Sequence, residues 1–468
     1  MFANSDAVYQ WLCSFINLER GLGGRPPAGG KRDSAASAEE HFRLDRMRLL
    51  AEIAGNPERS APVIHIAGSK GKGSVCAMTS AVLEAAGKRP GRYLSPHVLD
   101  WRERVCLGGA CFSEETYTKA GNELYDLYRD YRSLASGFRG EATFFELITL
   151  FFFLCSRNAR CDCVVLETGL GGRLDATNIV DPLVTVISAI EKEHTEYLGN
   201  SVEKIAEEKA GIIKRRKPLV LAEQTEAALD VFLKKAAERE APLVYLPRAA
   251  AVENPRSGEN GAAFFLRFTG PEFAGLSADY SLGVPGTVYP KNAALALLAA
   301  KTAFPDLSAD AARSGLAAFR LPARFEALDA GTGRPFIADG AHTPQSAALC
   351  AETFAGLYGS GGILLFGCAR GKDAEGMAEA LLPYFSAVIV TSPGTFRESD
   401  PEEAYGAFCR KASALPGASR PPVDLAVDTK DAFEKTVRTA AEKKLPVLVC
   451  GSFYLAGETI RLARQSRI

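Results

Sequence analysis

Gly68-Ser69-Lys70-Gly71-Lys72-Gly73-Ser74 is the stretch best suited to chemistry. Its glycines let backbone N–H groups converge on an anion, and a helix predicted to follow presents its positive end to the same place. Lys72 can then reach the outer phosphates of a nucleotide, and Ser74 can approach a magnesium ion. The spacing is not the common G-x-x-x-x-G-K-[ST]: the turn is shorter, and Gly73 separates lysine from serine. Ser95, Glu167 and His194 also fall at or just past predicted strand ends. A hydroxyl, a carboxylate and an imidazole beside a triphosphate suit magnesium, which needs few protein ligands and fills its shell from phosphates and water. Taken singly, each reads more readily as a hydrogen-bonded structural residue; the weight lies in their convergence.

Further along, Asp339-Gly340-Ala341-His342-Thr343-Pro344 ends a predicted strand with an acid and a histidine, Arg324 lies upstream, and 367–373 (GCARGKD) is another glycine-basic-acid cluster. Polar turn chemistry accounts for them. If a second domain folds over the first, however, they meet the nucleotide from the far side and can stabilise charge on a transferring phosphoryl group. Lys209 reads as an ordinary ion pair with Glu203, Glu207 or Glu208. Glu146, among phenylalanines in Thr143-Phe144-Phe145-Glu146, is either a solvated first-turn acid or a ligand-facing one. His65, inside VIHIA, reads as a core residue.

These groups require elements to hold them. Residues 63–87 predict a buried strand, a turn and a helix; strands follow at 91–96, 163–168, 183–190 and 218–222, with helices at 113–134 and 202–210 and a further apolar helix opening at 143. Strand alternating with helix predicts a parallel, doubly wound α/β sheet. Short alternating pieces at 248–290 suggest a small antiparallel patch, a helix at 292–303 closes the first domain, and 305–322 forms a hinge with a short helix. Five strands, at 336–339, 363–368, 387–391, 423–427 and 446–450, then predict a second parallel domain. The stretch 21–37, rich in glycine and proline, predicts a loop.

Two domains suit 468 residues, and a net charge of -1 argues against nucleic acid as a partner. The N-terminus lacks the basic region and cleavage site of a signal peptide, and the longest apolar run, roughly 147–155, is shorter than the ~20 residues of a membrane span. A cytoplasmic protein without a membrane partner is expected. The 11 cysteines are scattered without a C-x-x-C pair, which favours reduced thiols over disulfides or zinc.

Taken together, HIAGSKGKGSV (65–75), SPHVLDWRERV (95–105), ETGLGGRLDATN (167–178), HTEYLGNSVEKIAEEKAGIIK (194–214), ARFE (323–326), DGAHTP (339–344) and GSFYL (451–455) resemble the folylpolyglutamate synthase / dihydrofolate synthase family of the Mur ligase superfamily. The resemblance implies a two-domain Mur-ligase-like α/β fold: a P-loop, parallel-sheet ATPase and pterin-binding domain over 1–319, then a smaller Rossmann-like glutamate ligase domain over 320–468. It implies an ATP- and Mg2+-dependent ligase that adds L-glutamate to dihydropteroate, to (tetrahydro)folate or to both through an acyl phosphate, acting as a monomer on small-molecule substrates. By match, Gly68 and Gly71 to Ser74 hold phosphates, with Lys72 among the catalytic groups; Ser95, Glu167 and His194 bind magnesium. Lys209 is the lysine that the family carbamylates; Asn292, Arg324, Asp339 and His342 contact nucleotide; Thr143, Phe144, Phe145, Glu146, Leu174, Asp175 and Ala176 line the pterin pocket. Three departures stand out: Ser69-Lys70 for the usual Thr-Asn, Thr343 where asparagine is common, and no His-Gln pair before Asn292. They motivate one alternative, an inactive nucleotide-binding regulatory protein; a second is a Mur-type ligase with another carboxylate acceptor, against which the ERV and GLGGRLDATN segments argue.

Overall fold

The computed structural model describes residues 1–17, 44–134, 141–193, 195–417 and 420–465. The predicted loop at 21–37 and His194 lie outside the described residues.

The first sheet contains β1 (Val63–Ala67), β2 (Pro90–Tyr93), β3 (Val105–Leu107), β4 (Ala110–Cys111), β5 (Cys163–Glu167), β6 (Val184–Ile187), β7 (Leu219–Leu221) and β8 (Leu243–Tyr245). Their order is β4-β3-β2-β5-β1-β6-β7-β8. Strands from β2 to β8 across this order are parallel, and β3 and β4 add an antiparallel edge. Every residue of β1 is buried, as a central parallel strand covered on both faces requires. Its register with β5 pairs Ile66 with Glu167, and with β6 pairs Ala67 with Ile187. The loop after β1 therefore opens beside the ends of both neighbours, where open parallel sheets collect ligands.

The antiparallel patch is a sheet of β9 (Ala250–Gly258), β10 (Gly261–Phe268) and β11 (Ala278–Leu282). The helix after it begins at Val288, earlier than the expected 292. Pro290 in its first turn gave the later start, yet first-turn N–H groups have no helical acceptor, so proline costs nothing there. This helix packs on the helix Lys72–Ala85 that follows the phosphate loop.

A third sheet holds β12 (Glu326–Leu328), β13 (Phe336–Ala338), β14 (Gly362–Phe366), β15 (Phe385–Val390), β16 (Val423–Leu425) and β17 (Val447–Cys450), ordered β12-β13-β17-β14-β15-β16. It is parallel except for β12, a strand that sequence reasoning missed because three residues carry too little period to read. Among the described residues no helix is long and apolar enough to cross a membrane.

Candidate active site

The loop after β1 is shaped by glycines in tight quarters. A Cβ on Gly68 would fall 1.9 Å from Ser188 Oγ, one on Gly71 2.9 Å from Asn292 Oδ1, and one on Gly73 3.4 Å from Glu167 Oε2. Gly71, left-handed at φ 84°, is the N-cap of the helix Lys72–Ala85 and has no side chain with which to take up its first-turn N–H groups. An anion at that end would do so, and the helix dipole favours it. Ser69 N and Lys70 N both donate to Ala189 O, at 2.9 and 3.1 Å, fastening the loop beyond the end of β6. Lys72 Nζ folds back onto Gly68 O (2.9 Å) and Ser69 O (3.3 Å). Ser74 is buried in the same first turn. The loop therefore fits a nucleotide's phosphates on geometry that this chain itself provides.

Glu167, at the end of β5, is buried, and its Oε2 accepts from Ser95 N at 3.2 Å. Burial raises its pKa to about 7, against the opposing pull of Lys72, the Ser95 amide, Arg324 and Arg104. A divalent cation beside it would restore the charged form, so the donor chemistry of Ser95 and Glu167 fits magnesium. Among the described residues no three His, Cys, Asp or Glu side chains gather as a metal site, and His194, the third expected ligand, lies outside them.

Glu193 was missed by sequence reasoning, and it joins three lysines. Its Oε2 lies 3.4 Å from Lys70 Nζ, while Oε1 lies 3.7 Å from Lys209 Nζ and 4.0 Å from Lys72 Nζ. Lys209 does not pair with the acids of its own helix. It is buried, donates to Gly68 O at 2.7 Å, and its pKa falls to about 7, chiefly by burial and then by the charge of Lys72. Neutral amine is therefore abundant near neutral pH, which an exposed lysine never offers.

These groups border a cleft of about 320 Å³. Lys70 to Gly73, Ser95, Glu167, Thr143, Phe145, Asp175 and Ala176 line it on the side of the first sheet. Asp175 is held by Gly169 N (3.0 Å), Leu170 N (2.9 Å) and Thr177 N (2.9 Å), so its carboxylate organises the glycine-rich turn after β5. Phe144, Glu146 and Leu174 are not on this wall. Phe144 enters the core, and Glu146 forms a buried pair with Arg46, Nε to Oε1 at 2.8 Å, while closing a capping box with Thr143. Glu146 is thus neither solvated nor facing the cleft.

The opposite wall comes from the third sheet: Arg324, His342, Lys372, Arg397, Ser452 and Phe453. Arg324 stacks on Phe453, its guanidinium carbon 4.3 Å from the ring centroid. Asp339 is half-buried behind this wall, where it accepts from Phe325 N and Ala341 N, each at 2.8 Å. Asn292 touches the phosphate loop at Gly71 from behind. Lys372 and Arg397 carried no individual expectation, although Lys372 sits in the GCARGKD cluster. The arrangement sets an anion-binding loop and a buried carboxylate against a basic wall, over an apolar floor at Phe145.

Two family patterns match the chain: the Mur ligase middle domain over residues 111–300 and the Mur ligase glutamate ligase domain over 323–453. A dihydrofolate synthase/folylpolyglutamate synthase of Bacillus subtilis is 33% identical over 370 residues, 78% of this chain and 84% of that protein. The protein of that name from Mycobacterium tuberculosis is 32% identical over 440 residues, 88% of each chain. Among solved structures, the M. tuberculosis folylpolyglutamate synthase complexed with ADP and AMPPCP has a TM-score of 0.80 at 31% identity, covering 91% of this chain and 96% of that one.

Proposed function

This chain belongs to the folylpolyglutamate synthase / dihydrofolate synthase family of Mur ligases and is an ATP-dependent ligase that adds L-glutamate to a dihydropteroate or folate carboxylate; we propose that the two walls of its cleft divide that reaction between them. The observation that carries the proposal is the facing of the uncapped phosphate loop and Glu167 by the basic wall of Arg324, His342, Lys372 and Arg397 across one cleft.

In this reading the amides of Gly71 to Ser74 and the Lys72 ammonium hold the nucleotide's phosphates, with Asn292, Arg324, Asp339 and His342 contributing from behind the loop and from the far wall. Ser95, Glu167 and His194 would hold magnesium, which would neutralise phosphate charge. The acceptor's ring system lies on Phe145 and Ala176 beside Asp175. Its carboxylate attacks the terminal phosphorus of ATP, ADP departs, and the resulting acyl phosphate is attacked by the amino group of glutamate, releasing phosphate and forming the amide. Guanidinium and ammonium groups of the far wall suit the two carboxylates of the incoming amino acid. Shielding between the walls protects the acyl phosphate from water. Lys209, as a carbamate, would put a carboxylate in place of a buried cation beside the residues that would hold magnesium. The reading keeps the division at 319/320 and a cytoplasmic monomer.

The test is purified protein with ATP, magnesium, glutamate and either dihydropteroate or tetrahydrofolate. ADP and phosphate release should depend on both glutamate and the pterin; release with neither pterin, or without need of glutamate, overturns the assignment.

A further inference from the structure

The eleven cysteines are all free thiols, and only Cys111 is exposed. Its neighbour across the β3–β4 hairpin is Cys106, paired with it in register. The hairpin turns on two residues, Gly108-Gly109, so Leu107 and Ala110 form the hydrogen-bonded closing pair. Cys106 and Cys111 then occupy the next, non-hydrogen-bonded pair, where cross-strand side chains come closest. Arg92, opposite Cys106 on β2, shares their face of the sheet.

We propose that Cys106 and Cys111 form a thiol-exchange site that takes low-molecular-weight disulfides and closes to an intramolecular disulfide. The thiolate of Cys111 attacks one sulfur of the small disulfide and expels a thiolate, which leaves a mixed disulfide on Cys111. Cys106 then attacks the Cys111 sulfur, its proton passes to solvent, and the second small thiol leaves. Two protein thiols and one disulfide become one protein disulfide and two small thiols, with two electrons transferred to the small molecule. The chemistry is favoured because Cys111, exposed beside Cys106 across the hairpin, is held down to about 6, whereas the neighbouring Cys111 and burial keep Cys106 protonated.

Closure also alters a neighbouring turn. Cys106 Sγ donates to Arg102 O at 3.1 Å, at a turn whose Glu103 gathers the amides of Val98 (2.7 Å), Leu99 (2.9 Å) and Asp100 (3.0 Å). A disulfide removes that S–H donor.

The experiment treats the reduced, full-length protein with oxidised glutathione at pH 7.5, alkylates with iodoacetamide and maps peptides by mass spectrometry. The expected product is a Cys106–Cys111 linked peptide with loss of Cys111 alkylation, whereas Cys106→Ser stops at glutathione on Cys111. A wild-type protein in which Cys111 stays fully alkylatable, or holds glutathione without passing it on, overturns the proposal. The wild-type map alone decides it should the variant misfold.

Discussion

Lys70 Nζ stands 3.4 Å from His342 Nε2, joining the phosphate loop of the first sheet to a loop of the third. His342 Nδ1 faces Gly340 O at 2.8 Å, and a carbonyl can only accept, so Nδ1 carries the proton and Nε2 offers its lone pair to Lys70. Burial, followed by the charges of Lys70 and Lys372, pushes the histidine's pKa down and keeps it neutral. Lys70 therefore orients an imidazole of the opposite wall.

Replacing Lys70 by methionine keeps the aliphatic stem and removes the ammonium. The loss of one charge-assisted contact at each wall is expected to cost about tenfold in kcat/KM. Because the contact spans the cleft, KM for ATP and KM for glutamate should rise together, with Lys70→Arg recovering part of both. A rise confined to ATP would mean that Lys70 serves the phosphate loop alone.

Arg46 and Glu146 form a pair with side chains 3% and 6% exposed. Arg46→Met strands a buried carboxylate and should destabilise the fold by ~3–5 kcal/mol, whereas Arg46→Met with Glu146→Gln should recover most of that. Burial already raises the Glu146 pKa, and removing Arg46 raises it further. The deficit of the single variant should thus be smaller at pH 5 than at pH 8, because protonated Glu146 needs no counter-charge. Urea midpoints at both pH values measure it.

The phosphate loop was legible because an apolar run, three closely spaced glycines and a helix signal all agree locally. Glu167 and Ser95 were legible as strand-end residues for the same reason. Glu193 was not: in Glu191-Lys192-Glu193-His194 an acid looks solvated, and only the approach of Lys70, Lys72 and Lys209 gives it a role. Glu146 shows the same limit, since its partner Arg46 lies 100 residues earlier in the chain. Long-range charge pairing leaves no periodic trace in sequence.

His65 introduces a pH-dependent term. Its Nε2 lies 2.9 Å from Thr177 Oγ1, which itself donates to Asp175, while its buried Nδ1 has no hydrogen-bond partner. Burial, and secondarily Lys214, lowers its pKa to about 3. The unfolded chain, titrating near 6.5, binds a proton that the folded one refuses, so stability is complete above about pH 6.5 and falls at about 1.4 kcal/mol per unit between there and 3. His65→Gln lacks this term. Its urea midpoint relative to wild type should improve steadily from pH 7 to pH 5, and parallel profiles would show that His65 accepts a proton in the fold.

Lys209 provides the most direct test of the carbamate. Carbon dioxide reacts only with a neutral amine, giving R–NH–CO2⁻ and a proton, and a side chain with a pKa of about 7 is largely neutral at pH 8. Protein exchanged into carbon dioxide-free buffer at pH 6 should therefore lose activity and regain it on adding bicarbonate, faster at pH 8 than at pH 6.5. Carbon-13 bicarbonate should give a carbamate resonance in the wild type that Lys209→Ala lacks, which is a readout independent of turnover. Lys209→Ala should lose about a hundredfold or more in kcat, as removal of a group that organises transition-state charge typically does, and bicarbonate should not restore it. Stability supplies a check on the pKa itself: without carbon dioxide the unfolded chain holds the Lys209 proton up to about 10.5 and the fold releases it near 7, so wild type should gain stability over Lys209→Met as pH rises from 7 to 9. Near-normal turnover in Lys209→Ala would remove the carbamate from the mechanism.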